Sequence, residues 1–158
     1  MRMFSILLIL FVSGCASTKD VDVMSNTKIT GPKVIAMSGD RAPWVYQIEK
    51  RLKAEGFTLN RMVSQQVTIE KQSDTKTGVY NESTARYVLN IQGSAPNGAM
   101  TRCFGGGFNF SYIDAELIDL KDNKTIFHYS NSGYSEACPP LSGHIFGDIA
   151  ELTKSAWN

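Results

Sequence analysis

The stretch FNFSYIDAELIDLKDNKTIFHYSNSGY, residues 108–134, decides the fold. Its two arms are rich in β-branched and aromatic residues, and KDNK between them supplies turn-forming types. It predicts strand, turn and strand, with the turn centred near Asp122. Pairing Leu120 with Thr125 would set His128 opposite Leu117 on one face. Along the first arm Phe108, Phe110 and Tyr112 share a face that turns polar at Asp114 and Glu116. The other face changes oppositely, from Asn109 and Ser111 to Ile113, Ala115 and Leu117. Side chains alternate along a strand, so such a switch implies a bulge near Tyr112, or a strand running from one environment into another. Phe108, Phe110 and Tyr112 then lie either in a core crossed by a twisted strand or in an exposed aromatic patch for a partner.

Working outward, Cys103 and Cys138 flank the hairpin almost symmetrically, their midpoint falling between Leu120 and Lys121. Both thiols are expected at its open end, where a bridge would close a loop of about 36 residues and stabilise it by roughly 4 kcal/mol in the chain-entropy model. A redox pair would read C-x-x-C, and a thiolate metal site needs further ligands. The Cys103–Cys138 pair is therefore read as a structural disulfide.

Upstream, KVIAMSG (33–39) is a short apolar run and predicts a buried strand. DRAPWVYQIEKRLKAEGF (40–57) predicts a helix with Asp40 as its cap. Trp44, Ile48 and Leu52 form its apolar stripe, and Gly56 is the left-handed residue of a Schellman ending. Strands are expected over 57–63, at QVTIEK, and over 85–93, where Tyr87, Leu89 and Ile91 alternate with polar residues. Residues 72–84 and the stretch SAPNGAMTRCFGGG read as loops, and HIFGDIAELTKSAW as a terminal amphipathic helix with Ile145, Ile149, Leu152 and Ala156 on one stripe. The fold class is α+β: a mostly antiparallel sheet packed against two helices in one small domain, residues 33–158.

The amino terminus carries Arg2 and then an apolar segment of about ten residues. A spanning helix needs about 20, whereas the core of a cleavable export signal needs about 7–15. It ends at Val12-Ser13-Gly14-Cys15, which resembles the lipobox of bacterial lipoproteins. That resemblance implies a signal peptide at 1–14, removed by cleavage, and diacylglycerol on the sulfur of Cys15. Ala16, in place of the aspartate that retains lipoproteins in the inner membrane of enteric bacteria, implies delivery to the outer membrane. Residues 15–32, polar and ending in Gly31-Pro32, read as a lipidated flexible tether.

Composition sets the remaining bounds. Removing 1–14 takes Arg2 from the sixteen basic residues and none of the fifteen acids, so the charges balance. A balanced surface offers no basic face for nucleic acid, and no such partner is expected. The order of elements resembles the periplasmic lipoprotein domains related to the amino-terminal domain of TolB, which implies a non-catalytic role with another envelope component as partner.

No chemical motif competes strongly. Gly105-Gly106-Gly107 lacks the Gly-Lys-Ser/Thr of a phosphate loop. His128 and His144 are too far apart in the chain to suggest a metal cluster, and no metal or cofactor is expected. Asp114 and Glu116 share a strand face and would suit glycan cleavage only with an opposing wall. The expectation is a lipid-anchored, outer-membrane, periplasm-facing binding or accessory domain for assembly, activation or stress signalling. A peptidoglycan- or glycan-acting enzyme and a carrier of small ligands or lipids are the alternatives.

Overall fold

The computed structural model describes residues 18–61, 68–73, 76–80, 85–96, 98, 100 and 102–158, with the side chains of 68–73 and 76–80 left out. Residues 1–14, read above as a signal peptide, and Cys15 lie outside the described residues.

In chain order the elements are β1 (Asp20–Val23), β2 (Val34–Gly39), α1 (Val45–Ala54), β3 (Thr58–Arg61), β4 (Thr68–Ser73), β5 (Lys76–Tyr80), β6 (Tyr87–Ser94), β7 (Asn109–Asp119), β8 (Lys124–Tyr134) and α2 (Ile145–Ser155). Six strands form one sheet in the order β1-β8-β7-β6-β2-β3, and β4 pairs with β5 alone. The β8-β7-β6 meander and β1 are antiparallel, whereas β2 runs parallel to both β6 and β3. Joining parallel neighbours requires a crossover, which α1 supplies between β2 and β3. The architecture is α+β in a single domain, as the residue pattern predicts.

Both helices cover one face of the sheet. Ile35, Leu89, Ile91, Ile113, Ala115, Leu117 and Tyr129 are fully buried there, together with Ile48 and Leu52 of α1 and Ile149 of α2. The carboxy terminus closes the layer: Trp157 packs edge-on against Phe57 and Tyr87, with ring centroids 5.0 and 5.2 Å apart. Gly56, at φ 85°, ends α1 as expected. Its N–H reaches the carbonyl of Lys53, and the N–H of Phe57 reaches that of Leu52, the two bonds of a Schellman motif.

Four expectations are corrected. The hairpin register pairs Asp119 with Lys124 and Ile118 with Thr125, and a second irregularity beside Leu117 sets His128 opposite Glu116, away from the core. Asp40 does not cap α1, whose cap position is Trp44; its Oδ2 instead accepts the N–H of Gly93 at 2.8 Å. The stretch read as a loop over 72–84 contains β5, paired with β4. The stretch read as a flexible tether is folded from Asp20 onward: β1 lies along β8, and Ile29 is buried and bridges to Trp157. Val21, Val23 and Ile29 supply too little apolar pattern to announce this, because β1 is an edge strand with all four residues exposed.

Candidate functional site: the stapled end of the hairpin

The bulge falls where the face switch demands it. Phe110 pairs with Gly133 and Ile113 with Asn131, so Ser111 and Tyr112 together oppose Ser132. An inserted residue rotates the strand, and here it lets both halves of β7 turn their apolar residues toward the helices. Phe108 and Phe110 are each 2% exposed, so of the three aromatics offered for a partner only Tyr112, at 47%, faces solvent. The two phenylalanines pack where the helices begin. Phe110 meets Trp44 at 5.2 Å and Phe146 at 5.9 Å, both edge-on, and Phe108 meets Phe146 at 6.2 Å. The guanidinium of Arg102 lies 4.2 Å over the ring of Phe108 and donates to the carbonyl of Gly106.

Beyond the strands, the two arms stay joined. The Ser135 N–H donates to the carbonyl of Phe108, and the Phe108 N–H donates to the Ser135 hydroxyl. Cys103 and Cys138 form the disulfide at this open end, with Cα atoms 4.9 Å apart. The glycine run now has a physical account. A Cβ on Gly105 would fall 2.6 Å from the Ala137 carbonyl oxygen. One on Gly107 would fall 2.2 Å from the Glu136 carbonyl oxygen and 2.6 Å from the Cys138 sulfur. Between them Gly106 sits at φ 83°. Backbone thus packs on backbone beside the disulfide, which only glycine permits. The same segment projects Phe104 wholly into solvent, 100% exposed, with Met100 at 99%.

Glu136 ties this end to the helices. Its carboxylate accepts the N–H groups of Gly147 at 2.7 Å and Phe146 at 3.2 Å, and Arg51 of α1 approaches it at 3.4 Å. The cap residue His144 makes no side-chain bond of its own, so a loop carboxylate closes the helix. Local spacing could not reveal this, since Glu136 precedes the helix by nine residues.

At the opposite end, the hairpin turn carries an ion-pair cluster. Arg86 Nε donates to Asp119 Oδ1 at 2.8 Å, and its Nη2 reaches both Asp119 and Asp122. The hydrogen bonds from Arg86 hold the Asp119 carboxyl below the usual carboxylate range, and its N–H bond from Lys121 adds to this against the opposing effect of burial. A groove of about 760 Å³ opens there, lined among others by Met24, Thr27, Arg86, Tyr87, Asp119 and Lys124. A second, of about 690 Å³, runs between α1 and α2 and is bridged by the Lys154–Glu55 ion pair at 2.7 Å.

Asp114 and Glu116 sit on the sheet face away from the helices. Glu116 accepts the hydroxyl of Thr125, and Asp114 lies 3.9 Å from His128, with both side chains about two-fifths exposed. They are neighbours on one strand, and the register places Asp20 and Asp22 of β1 in line with them across β8 on the same sheet. No group of three His, Cys, Asp or Glu side chains that could hold a metal occurs among the described residues. No described helix is long and apolar enough to cross a membrane.

No protein-family model matches this chain, and no curated protein sequence matches it. Among solved structures it is similar to two dodecamers of PelC from Paraburkholderia phytofirmans. One is 15% identical with a TM-score of 0.48, covering 88% of this chain and 98% of that one. The other is 16% identical with a TM-score of 0.42, covering 87% and 91%. It also has a weak fold likeness to TolB from Acinetobacter baumannii, at 11% identity and a TM-score of 0.36, covering 88% of this chain and 30% of that one.

Proposed function

We propose that the chain is an outer-membrane lipoprotein, anchored through Cys15, whose periplasmic domain binds another envelope protein and performs no chemistry of its own. The lipobox-like Val12-Ser13-Gly14-Cys15 supports the anchor. The observation that carries the reading is the docking of the segment that follows it. Thr18 lies beside Ser132, their hydroxyls 3.2 Å apart, β1 runs along β8, and Ile29 is buried against the carboxy terminus. Three residues beyond Cys15 the chain is already in contact with the domain, so the domain works on a short leash at the membrane surface.

The groove at the hairpin turn is the surface offered to the partner. It is large enough for a peptide segment or loop, and Arg86, Asp119 and Lys124 give it polar groups to orient one. Its most buried carboxylate, Asp119, is committed to Arg86 and held ionised, which suits recognition and is unsuited to proton donation. Against the carrier alternative, the centre of the layer between helices and sheet holds Trp44, Phe108, Phe127 and Tyr129, all buried to 2% exposure or less, and the clefts where α2 meets the β1–β8 edge are about 290 and 170 Å³.

A photo-reactive amino acid at Lys124, in the groove, tests this in intact cells, with Lys50 on the outer side of α1 as control. One discrete protein adduct formed from position 124 and not from 50 is expected. Equal labelling from both, or none from position 124, contradicts the reading.

A further inference from the structure

The stapled end has a second property, which rests on the lipid-anchor reading above. β1 runs antiparallel to β8, so its start, Asp20, lies toward Ser130 and its end, Val23, toward Phe127. β8 itself runs from the turn to the disulfide. The chain therefore enters the domain from the stapled end, and Thr18 beside Ser132 marks the entry. A residue advances the chain by at most about 3.6 Å, so the three steps from Thr18 back to Cys15 span about 11 Å at most. The acylated cysteine is confined to the neighbourhood of this one end.

That same end presents the two most exposed large apolar side chains among the described residues. Phe104 and Met100 are almost wholly in solvent, and Leu141 is 59% exposed. Two charged groups of these loops are engaged with the domain: Glu136 with the start of α2, and Arg102 with Phe108 and Gly106. Exposed large apolar side chains rimmed by engaged polar groups mark a contact surface. The disulfide and the close-packed glycines hold that surface in shape. A rigid apolar tip on the end of the domain where a lipidated chain enters has an obvious occupant.

We infer that the stapled end docks on the lipid bilayer itself, with Phe104, Met100 and Leu141 entering the headgroup–acyl boundary as a second, non-covalent anchor. The acyl chains on Cys15 would hold the domain stably at one point, and a second point of contact would restrict its rotation about that point. The consequence is directional: the hairpin turn, with Leu120 and the groove around Arg86, points away from the membrane.

The test uses the mature protein purified from membranes, its amino terminus first weighed by mass spectrometry. It is reconstituted into vesicles of phosphatidylethanolamine and phosphatidylglycerol whose acyl chains are brominated near the headgroup. Native Trp44 and Trp157 are buried and give a constant background. The added fluorescence of Phe104→Trp is expected to be lost in brominated relative to unbrominated vesicles. That of Leu120→Trp, at the opposite end, is expected to persist. Equal quenching of both, or of neither, in protein shown to be acylated at Cys15 overturns the docking while leaving the anchor standing. An unacylated amino terminus overturns the anchor and the docking together. A protein crosslink at Phe104 without quenching would assign this end to a protein partner instead.

Discussion

Glu136 accepts the backbone N–H of Gly147 at 2.7 Å, so a carboxylate from the disulfide loop closes the amino terminus of α2. The helix thus depends for its cap on a loop that is itself held by Cys138 and by the packing of Gly107. Replacing Glu136 by alanine leaves these N–H groups to solvent and should lower unfolding stability by about 1 kcal/mol, the usual scale for losing a cap. Urea denaturation measures this. A variant as stable as the parent would show that the contact contributes nothing.

The disulfide makes a larger contribution. Cys103 and Cys138 are 35 positions apart, and the chain-entropy model then gives roughly 4 kcal/mol, with about 2–4 the common range. The double variant Cys103→Ala, Cys138→Ala is expected to unfold at markedly lower urea with an increased or unchanged dependence on denaturant. Because the bridge also steadies the loop bearing Glu136, its removal and Glu136→Ala should be less than additive. Strict additivity of the two losses would contradict the coupling.

The three consecutive glycines separate into different roles. Gly107→Ala drives a methyl group into the Glu136 carbonyl and the Cys138 sulfur, and overpacking of this kind costs about 1–3 kcal/mol. At Gly106 a Cβ would meet nothing closer than 3.7 Å, and only the positive φ opposes it. Gly107→Ala should therefore be the more damaging in thermal melts, and the reverse order would count against the described packing.

Two ionisable groups, Asp119 and Tyr129, make stability depend on pH. The folded-state pKa of Asp119 is depressed below its usual 3.8 by hydrogen bonds from Arg86. The unfolded chain takes up this proton first, so the stabilisation is whole above about pH 4 and is lost as pH falls through the folded value. Asp119→Asn should flatten the acid side of the stability profile. Burial pushes the Tyr129 hydroxyl up to about 12, against a smaller opposing effect of its bond from Asn131. Its contribution is complete below about pH 10 and declines as pH rises through about 12. Ultraviolet titration of Tyr129→Phe against the parent should remove a late-titrating phenol. A parent profile in which every tyrosine titrates near 10 would contradict this burial.

What was legible in the sequence follows the strength of local periodicity. The bulge at Ser111 and Tyr112 was one of two readings of the face switch, the other being a strand that passes between environments, and the register between Phe110 and Ile113 selects it. The Schellman ending at Gly56 was readable for an equally local reason, and the pairing of Cys103 with Cys138 from their near-symmetric placement about the hairpin. The register at His128 was not, because the irregularity beside Leu117 depends on how Ile126 fits between neighbours. Nor was β1: Asp20 and Asp22 make it read as solvated chain, and only its pairing to β8 gives it structure. The Glu136 cap and the Arg86–Asp119 pair join groups far apart in sequence, and no spacing rule announces such contacts.

The account rests on Cys15. The most direct measurement is the intact mass and amino-terminal fragment spectrum of the protein extracted from the outer-membrane fraction of its own cells. A chain beginning at Cys15 with diacylglycerol on its sulfur and an acylated amino group is the predicted result. A chain that retains residues 1–14, or that begins elsewhere with no lipid, contradicts it.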